Sequence, residues 1–240
     1  MRSLLIAPAD EQRLAEAFRS GADALVVDLA EVSQATRAGA RAAAAAFLKE
    51  ARTKQSGPLL IVRASALNSG ETDADLDAVM AGAPDAILLP RSLGAASVQQ
   101  LSAKLAVREA KLALEDGATR IIALVDSAQS LFDMGSYRGS SARLMGLAWS
   151  ARALRAEIGA ETERDHLGDF FGPYRRARDL TLLAATSARV AAIDAVFPDA
   201  GDLMGLRAES IVARRDGFAG KMAIDPAQTA IINNVFPSRL

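Results

Sequence analysis

The chain has 240 residues, half of them hydrophobic, with 28 lysines and arginines against 29 acids and no cysteine. That length suits one large domain or two small ones with a sizeable core. The formal charge of −1 argues against a nucleic-acid or membrane surface as partner, and the missing cysteine excludes disulfides, thiol nucleophiles and thiolate metal sites.

The opening MRSLLIAPADEQ carries an apolar run too short for a signal-peptide core, and no run approaches the roughly 18 residues of a membrane span. The expectation is a soluble, cytoplasmic protein. Apolar runs then recur at 3–8, 24–30, 59–65, 86–91, 120–126, 143–148, 190–197 and 220–225. Each is nearly continuous rather than alternating, the pattern of a strand buried on both faces. Segments rich in Ala, Leu, Arg, Glu and Gln lie between them, such as EQRLAEAFRS and VQQLSAKLAVREAKLALED, and predict helices. Eight such units of about 30 residues each predict a single (β/α)8 barrel, the TIM-barrel fold, over residues 1–240. The rival is a doubly wound open sheet, but no G-x-G-x-x-G turn follows the first strand. One irregular polar segment, 159–176, predicts a loop over one mouth.

A barrel of this kind builds its site where the carboxyl ends of the strands meet. Read in chain order, those ends carry Asp28 and Glu31, Arg63, Arg91, Asp126, then Asp199 and Asp225. Asp194 lies inside the seventh run and reads as a structural hydrogen-bonding residue. The sixth run is followed by no acid until Glu157. Two cations and several carboxylates converging on one rim suit capture of an anionic substrate, with carboxylates available to a magnesium ion. The bland alternative for any one of them is a strand-end ion pair or a helix cap.

Several stretches taken together resemble one family. They are RSLLIAPAD (2–10), GADALVVDLAEV (21–32), IVRAS (61–65), AILLPRSLGAAS (86–97), AAIDAVFPDAGDLMGLRAE (191–209) and GFAGKMAIDPAQTAIINNVFPS (217–238). In this order they resemble citrate lyase beta-subunit-like proteins, relatives of malyl-CoA lyase. The resemblance implies a barrel assembled as trimers or hexamers, a magnesium ion and a CoA thioester substrate. It implies retro-Claisen or retro-aldol cleavage of a carbon–carbon bond in a hydroxy dicarboxylic acyl group. It makes Arg63 a substrate-binding and catalytic arginine and Asp126 a metal ligand.

The same resemblance exposes departures. The second metal-ligand position, in SARAL (150–154), is Ala153, with Arg152 beside it. Ala30 and Glu31 stand where the family has a glutamate and an aspartate, Arg91 where it has a lysine, Leu93 a glutamate and Asp225 a histidine. Two readings follow. In one, an enzyme uses Arg152 and Arg91 in place of the metal, with Arg63 and Asp28 as further substrate contacts and Asp126, Asp199 or Asp225 as base. In the other, an inactive barrel serves as a binding or scaffold subunit.

Arg37 and Arg41, four apart, share a helix face and are candidates for the CoA pyrophosphate; the alternative is a solvated face. Arg175, Arg176 and Arg178 form a second basic group beside the long loop. His166, the one histidine, is expected to be solvent-exposed. Trp149 is expected to pack under the loop, Met145 and Met222 to be core, and Asn233 and Asn234 to cap the last helix.

Overall fold

In the computed structural model, which describes residues 1–237, all eight apolar runs become strands. They are β1 (Ser3–Pro8), β2 (Ala24–Asp28), β3 (Leu59–Arg63), β4 (Ala86–Leu89), β5 (Arg120–Val125), β6 (Leu144–Trp149), β7 (Ala191–Asp194) and β8 (Gly220–Ala223). Each pairs in parallel with the next, and β8 returns to β1 with Ser3 opposite Lys221. The sheet is closed, as expected of a (β/α)8 barrel, and the open-sheet rival is excluded.

Parallel neighbours require a crossover, and helices supply it. In chain order they are α1 (Glu11–Phe18), α2 (Arg37–Ala51), α3 (Thr72–Val79), α4 (Ala95–Lys111), α5 (Ala128–Phe132), α6 (Ala151–Ile158), α7 (Gly172–Ala188), α8 (Leu203–Asp216) and α9 (Pro226–Val235). No helix among the described residues is long and apolar enough to cross a membrane.

Both faces of every strand are buried, which is why the runs look continuous in sequence. The alternation survives inside them. One set, including Leu4, Ala24, Val26, Ile61, Leu88, Ile122, Leu124, Ala148, Ile193 and Met222, fills the barrel interior. The other, including Leu5, Leu25, Val27, Leu60, Val62, Ile121, Ala123 and Leu147, packs against the helices. Closure is tight at one seam. A Cβ on Gly220 would collide with the carbonyl oxygens of Met1 and Arg2, so only glycine lets β8 approach the N-terminal strand this closely.

Three expectations need adjustment. The polar loop is shorter than 159–176, because α7 begins at Gly172 with Pro173 in its first turn, where the fixed φ of proline favours a helix. Trp149 is the last residue of β6 rather than one that follows it; it is buried and meets Phe170 of the loop edge-on at 5.2 Å. Asn233 does not cap α9: its side chain accepts from Ser3 Oγ at 2.8 Å and donates to Gly21 O at 2.8 Å, tying the last helix to the first strand. Ser238, the end of the last family-like stretch, lies outside the described residues.

A charged circuit joins the last three strands to the loop. Lys221 on β8 is fully buried, and its Nζ donates to Asp194 Oδ2 at 3.0 Å and to Glu209 Oε1 at 2.7 Å. Asp194 also accepts from Trp149 Nε1 at 2.8 Å and Arg178 Nε at 3.2 Å, the structural role expected of it. Glu209 in turn holds Arg164 Nη1 at 2.6 Å, and the Arg164 guanidinium lies over the Phe170 ring at 3.7 Å from its centroid. The loop is therefore pinned to the barrel wall by a paired, buried network.

Candidate functional site

The interior set, extended two residues beyond the core layer, predicts what faces the carboxyl-end mouth. From Leu4 and Ile6 it reaches Pro8, from Val26 Asp28, from Ile61 Arg63, from Leu88 Pro90, from Leu124 Asp126, from Ala148 Ser150, from Ile193 Ala195 and from Met222 Ile224. All eight of these line one cleft of about 940 Å³. Around them stand seven arginines and four carboxylates, a formal balance of +3 in a chain whose net charge is −1. Such a cleft attracts anions.

Asp126 sits on the floor, 5 % exposed. Its Oδ1 accepts the backbone N–H of Arg91 at 2.8 Å, while Oδ2 accepts no hydrogen bond among the described residues. Arg91 reaches this bond through a left-handed backbone, φ +49°, directly after Pro90, a conformation that an arginine adopts only where its surroundings hold it. The Arg91 side chain turns away to Glu157 Oε2 at 3.1 Å, and Glu157 Oε1 accepts the N–H of Ala128 at 2.9 Å. Burial pushes the Asp126 carboxyl up to about 6, although the Arg91 N–H and the charges of Arg91 and Arg63 pull the other way. A carboxylate poised there exchanges a proton near neutral pH.

Arg63 is fixed by a fork-to-fork pair with Asp28: Nε to Oδ1 at 2.7 Å, and Nη2 to Oδ2 in a short ion pair. Asp28 Oδ1 also accepts the N–H of Ala30 at 3.0 Å. The same Arg63 Nη2 lies 3.2 Å from Glu31 Oε1, and that oxygen accepts from Arg152 Nη2 as well. Arg152 therefore pairs with Glu31 across the mouth, whereas the sequence alone left it free to pair with Asp126. It occupies the first turn of α6, beyond the Ser150 cap, and projects over the rim rather than onto the floor.

The remaining candidates divide. Arg37 lines the cleft but is tied to its own loop and the one after β3, donating to Leu29 O at 3.2 Å, Val32 O at 2.8 Å and Ser65 Oγ at 2.8 Å. Arg41 lies outside the lining, with Nε on Asp75 at 2.7 Å and Nη2 on Glu71 at 2.6 Å. Asp199 is exposed outside the lining, its carboxylate accepting the N–H of Gly201 at 2.9 Å. Asp225 caps α9. His166 is exposed, Arg175 and Arg176 are exposed, and Arg178 is buried in the Asp194 circuit. Glu163, Arg164 and Phe170 line the cleft from the loop, and no periodic signal in the sequence marks them. Ser150 also lines it, and strand parity from Ala148 does mark that one.

A model of the HpcH/HpaI aldolase/citrate lyase family matches residues 2–226. The chain belongs to this family. Citrate lyase subunit beta from Escherichia coli strain K12 is 29% identical over 236 residues, spanning 98% of this chain and 76% of that protein. A (3S)-malyl-CoA thioesterase from Cereibacter sphaeroides strain KD131 is 29% identical over 237 residues, with 98% and 76% covered. Among solved structures, a citrate lyase beta subunit from M. tuberculosis complexed with oxaloacetate and magnesium has a TM-score of 0.81 and 28% identity, covering 98% of this chain and 96% of that one.

The magnesium of that relative raises the question of fit. Magnesium seeks near-octahedral oxygen ligands, one or two of them carboxylates. Here Asp126 offers one free oxygen, position 153 is an alanine, and no group of three His, Asp or Glu side chains that could hold a metal exists among the described residues. Arg63, Arg91 and Arg152 line the same cleft, and their charge opposes a divalent cation. In this HpcH/HpaI member the donor set does not fit the ion.

Proposed function

We propose that the protein is a carbon–carbon lyase that cleaves the CoA thioester of a small hydroxy dicarboxylic acid, with arginines in the role a metal would fill. One observation carries this reading: a buried carboxylate poised near pH 6 at the floor of a cleft in which arginines outnumber carboxylates seven to four. In the proposed step Asp126 takes the proton of the substrate hydroxyl. The carbon–carbon bond beside it breaks, the oxo acid leaves, and the bonding pair passes into the thioester enolate, which a proton then quenches. Guanidinium groups stabilise the carboxylate and the enolate charge. Asp126, rather than Asp199 or Asp225, is assigned the proton because it alone of the three lines the cleft.

The test is an assay with malyl-, citramalyl- and citryl-CoA, run with and without EDTA. The expected outcome is cleavage of at least one thioester at a rate unchanged by EDTA within about twofold, the ligand set being unsuited to the ion. Cleavage that requires added magnesium overturns the arginine assignment. A second reading, an inactive binding barrel, is favoured by the pairing of Arg63 with Asp28 and Glu31. Carboxylate binding with no cleavage of any thioester would decide for it.

The CoA phosphates need a cation not already committed. Arg13 lines the cleft, is exposed, and has no ion pair among the described residues. Arg13→Ala is expected to raise KM for the thioester by about tenfold, the equivalent of one charge-assisted hydrogen bond, with kcat unchanged. Steady-state kinetics on the cleaved thioester checks it.

A further inference from the structure

The rim carries a contact that the proposed reaction does not use. A single oxygen, Glu31 Oε1, is shared between the guanidinium groups of Arg152 and Arg63. Two arginines aimed at one oxygen make an anion site, since each presents a planar fork of donors suited to a carboxylate. We infer that Glu31 is an internal stand-in for a ligand carboxylate, and that a small dicarboxylate enters the cleft by displacing Glu31 from between Arg63 and Arg152. Arg152 is thereby a residue that selects the substrate. This rests on the proposed function only in taking a carboxylate as the ligand.

Exposure decides which of the neighbouring pairs gives way. The Asp28 and Arg63 side chains are only 11 % and 13 % exposed, so their pair is desolvated and costly to break. The Glu31 and Arg152 side chains are 51 % and 63 % exposed, so water already screens their attraction and the pair is worth little. Arg63 therefore stays oriented by Asp28 while Glu31 swings out. The Arg152 hydrogen bond holds the Glu31 carboxyl below the usual range, so Glu31 remains a charged competitor at neutral pH. Arg152 has no other ion-pair partner among the described residues, and displacing Glu31 leaves its guanidinium for the incoming carboxylate.

Calorimetric titration with malonate tests the displacement. Glu31→Gln is expected to bind malonate about fivefold more tightly than the unmodified protein, the worth of a screened ion pair, and Arg152→Gln about fivefold more weakly. Glu161→Gln, an exposed neighbour outside the cleft lining, makes the same change in net charge and is expected to stay within about twofold. Melting curves for all three should match that of the unmodified protein, since none of these side chains is buried. Unchanged, weakened or unmeasurable malonate binding by Glu31→Gln overturns the inference, as does equal tightening by Glu161→Gln or undiminished binding by Arg152→Gln. The thioester assay is read separately. Cleavage without tightening rejects the displacement alone, and tightening without cleavage rejects the lyase alone.

Discussion

Replacing Lys221 with methionine is expected to destabilise the fold by about 3–5 kcal/mol, the cost of removing one partner from a buried ion-pair network. Methionine keeps most of the apolar volume, so the loss is electrostatic rather than a cavity. Lys221 Nζ has two carboxylates within 3.0 Å and no access to water. Without it, Asp194 retains Arg178 and Trp149, and Glu209 retains Arg164. For a chain of this size the melting temperature should fall by about 10 °C. The pH dependence gives a second check. Burial pushes the Asp194 carboxyl up, but the charges of Lys221 and Arg178 more than offset it, leaving it below its ordinary 3.8. Its stabilisation is thus present above that ordinary value and lost as the pH falls through the folded one. In Lys221→Met the carboxyl rises and accepts a proton more readily, so the gap between the two proteins should narrow toward about pH 4. Adding Asp194→Asn should recover part of the loss, a coupling of about 1–3 kcal/mol. A melting temperature within 2 °C of the parent at pH 7.5 would show that the circuit is not what holds the loop to the barrel.

What could be read in advance divides along the same line between strand and loop. Strand order and fold followed from eight apolar runs, because burial on both faces removes the alternation and leaves long apolar stretches. The mouth was legible in part. Asp28, Arg63 and Asp126 continue the inward set of their strands and meet in the cleft. Asp194 and Asp225 stand one residue out of phase with Ile193 and Ile224, and a shift of one turns a side chain to the other face. Asp194 consequently points to the helices and Asp225 caps one. Beyond the strand ends this reasoning stops. Asp199 and Glu163 both sit in irregular connections, yet Asp199 bonds its own turn while Glu163 lines the cleft; no period distinguishes them. The Glu31–Arg152 pair joins residues 121 positions apart. The left-handed backbone of Arg91 goes with a hydrogen bond to Asp126, 35 residues away, and no local propensity predicts it.

Asp126→Asn is expected to stabilise the folded protein above pH 6. The carboxyl moves from 3.8 to about 6 on folding, so the folded state binds its proton more tightly than the unfolded chain does. Stability is therefore greatest below about pH 4 and declines as the pH rises toward 6, after which the cost is constant at about 3 kcal/mol. Asparagine never carries that charge and keeps an oxygen for the Arg91 N–H. The variant should melt about 5–10 °C above the parent at pH 8 and together with it below pH 4. A constant difference across that range, or a lower melting temperature at pH 8, would contradict a buried, poorly solvated carboxylate at position 126. If Asp126 takes the hydroxyl proton, the same substitution should lower kcat by about 10²–10⁴, the usual contribution of a positioned base. Stability and activity are then opposed at one atom: the desolvation that makes Asp126 costly to the fold is what sets its proton affinity near neutral pH. Arg91→Gly adopts the same left-handed backbone without strain and should retain both the Asp126 bond and the pH-dependent difference in stability.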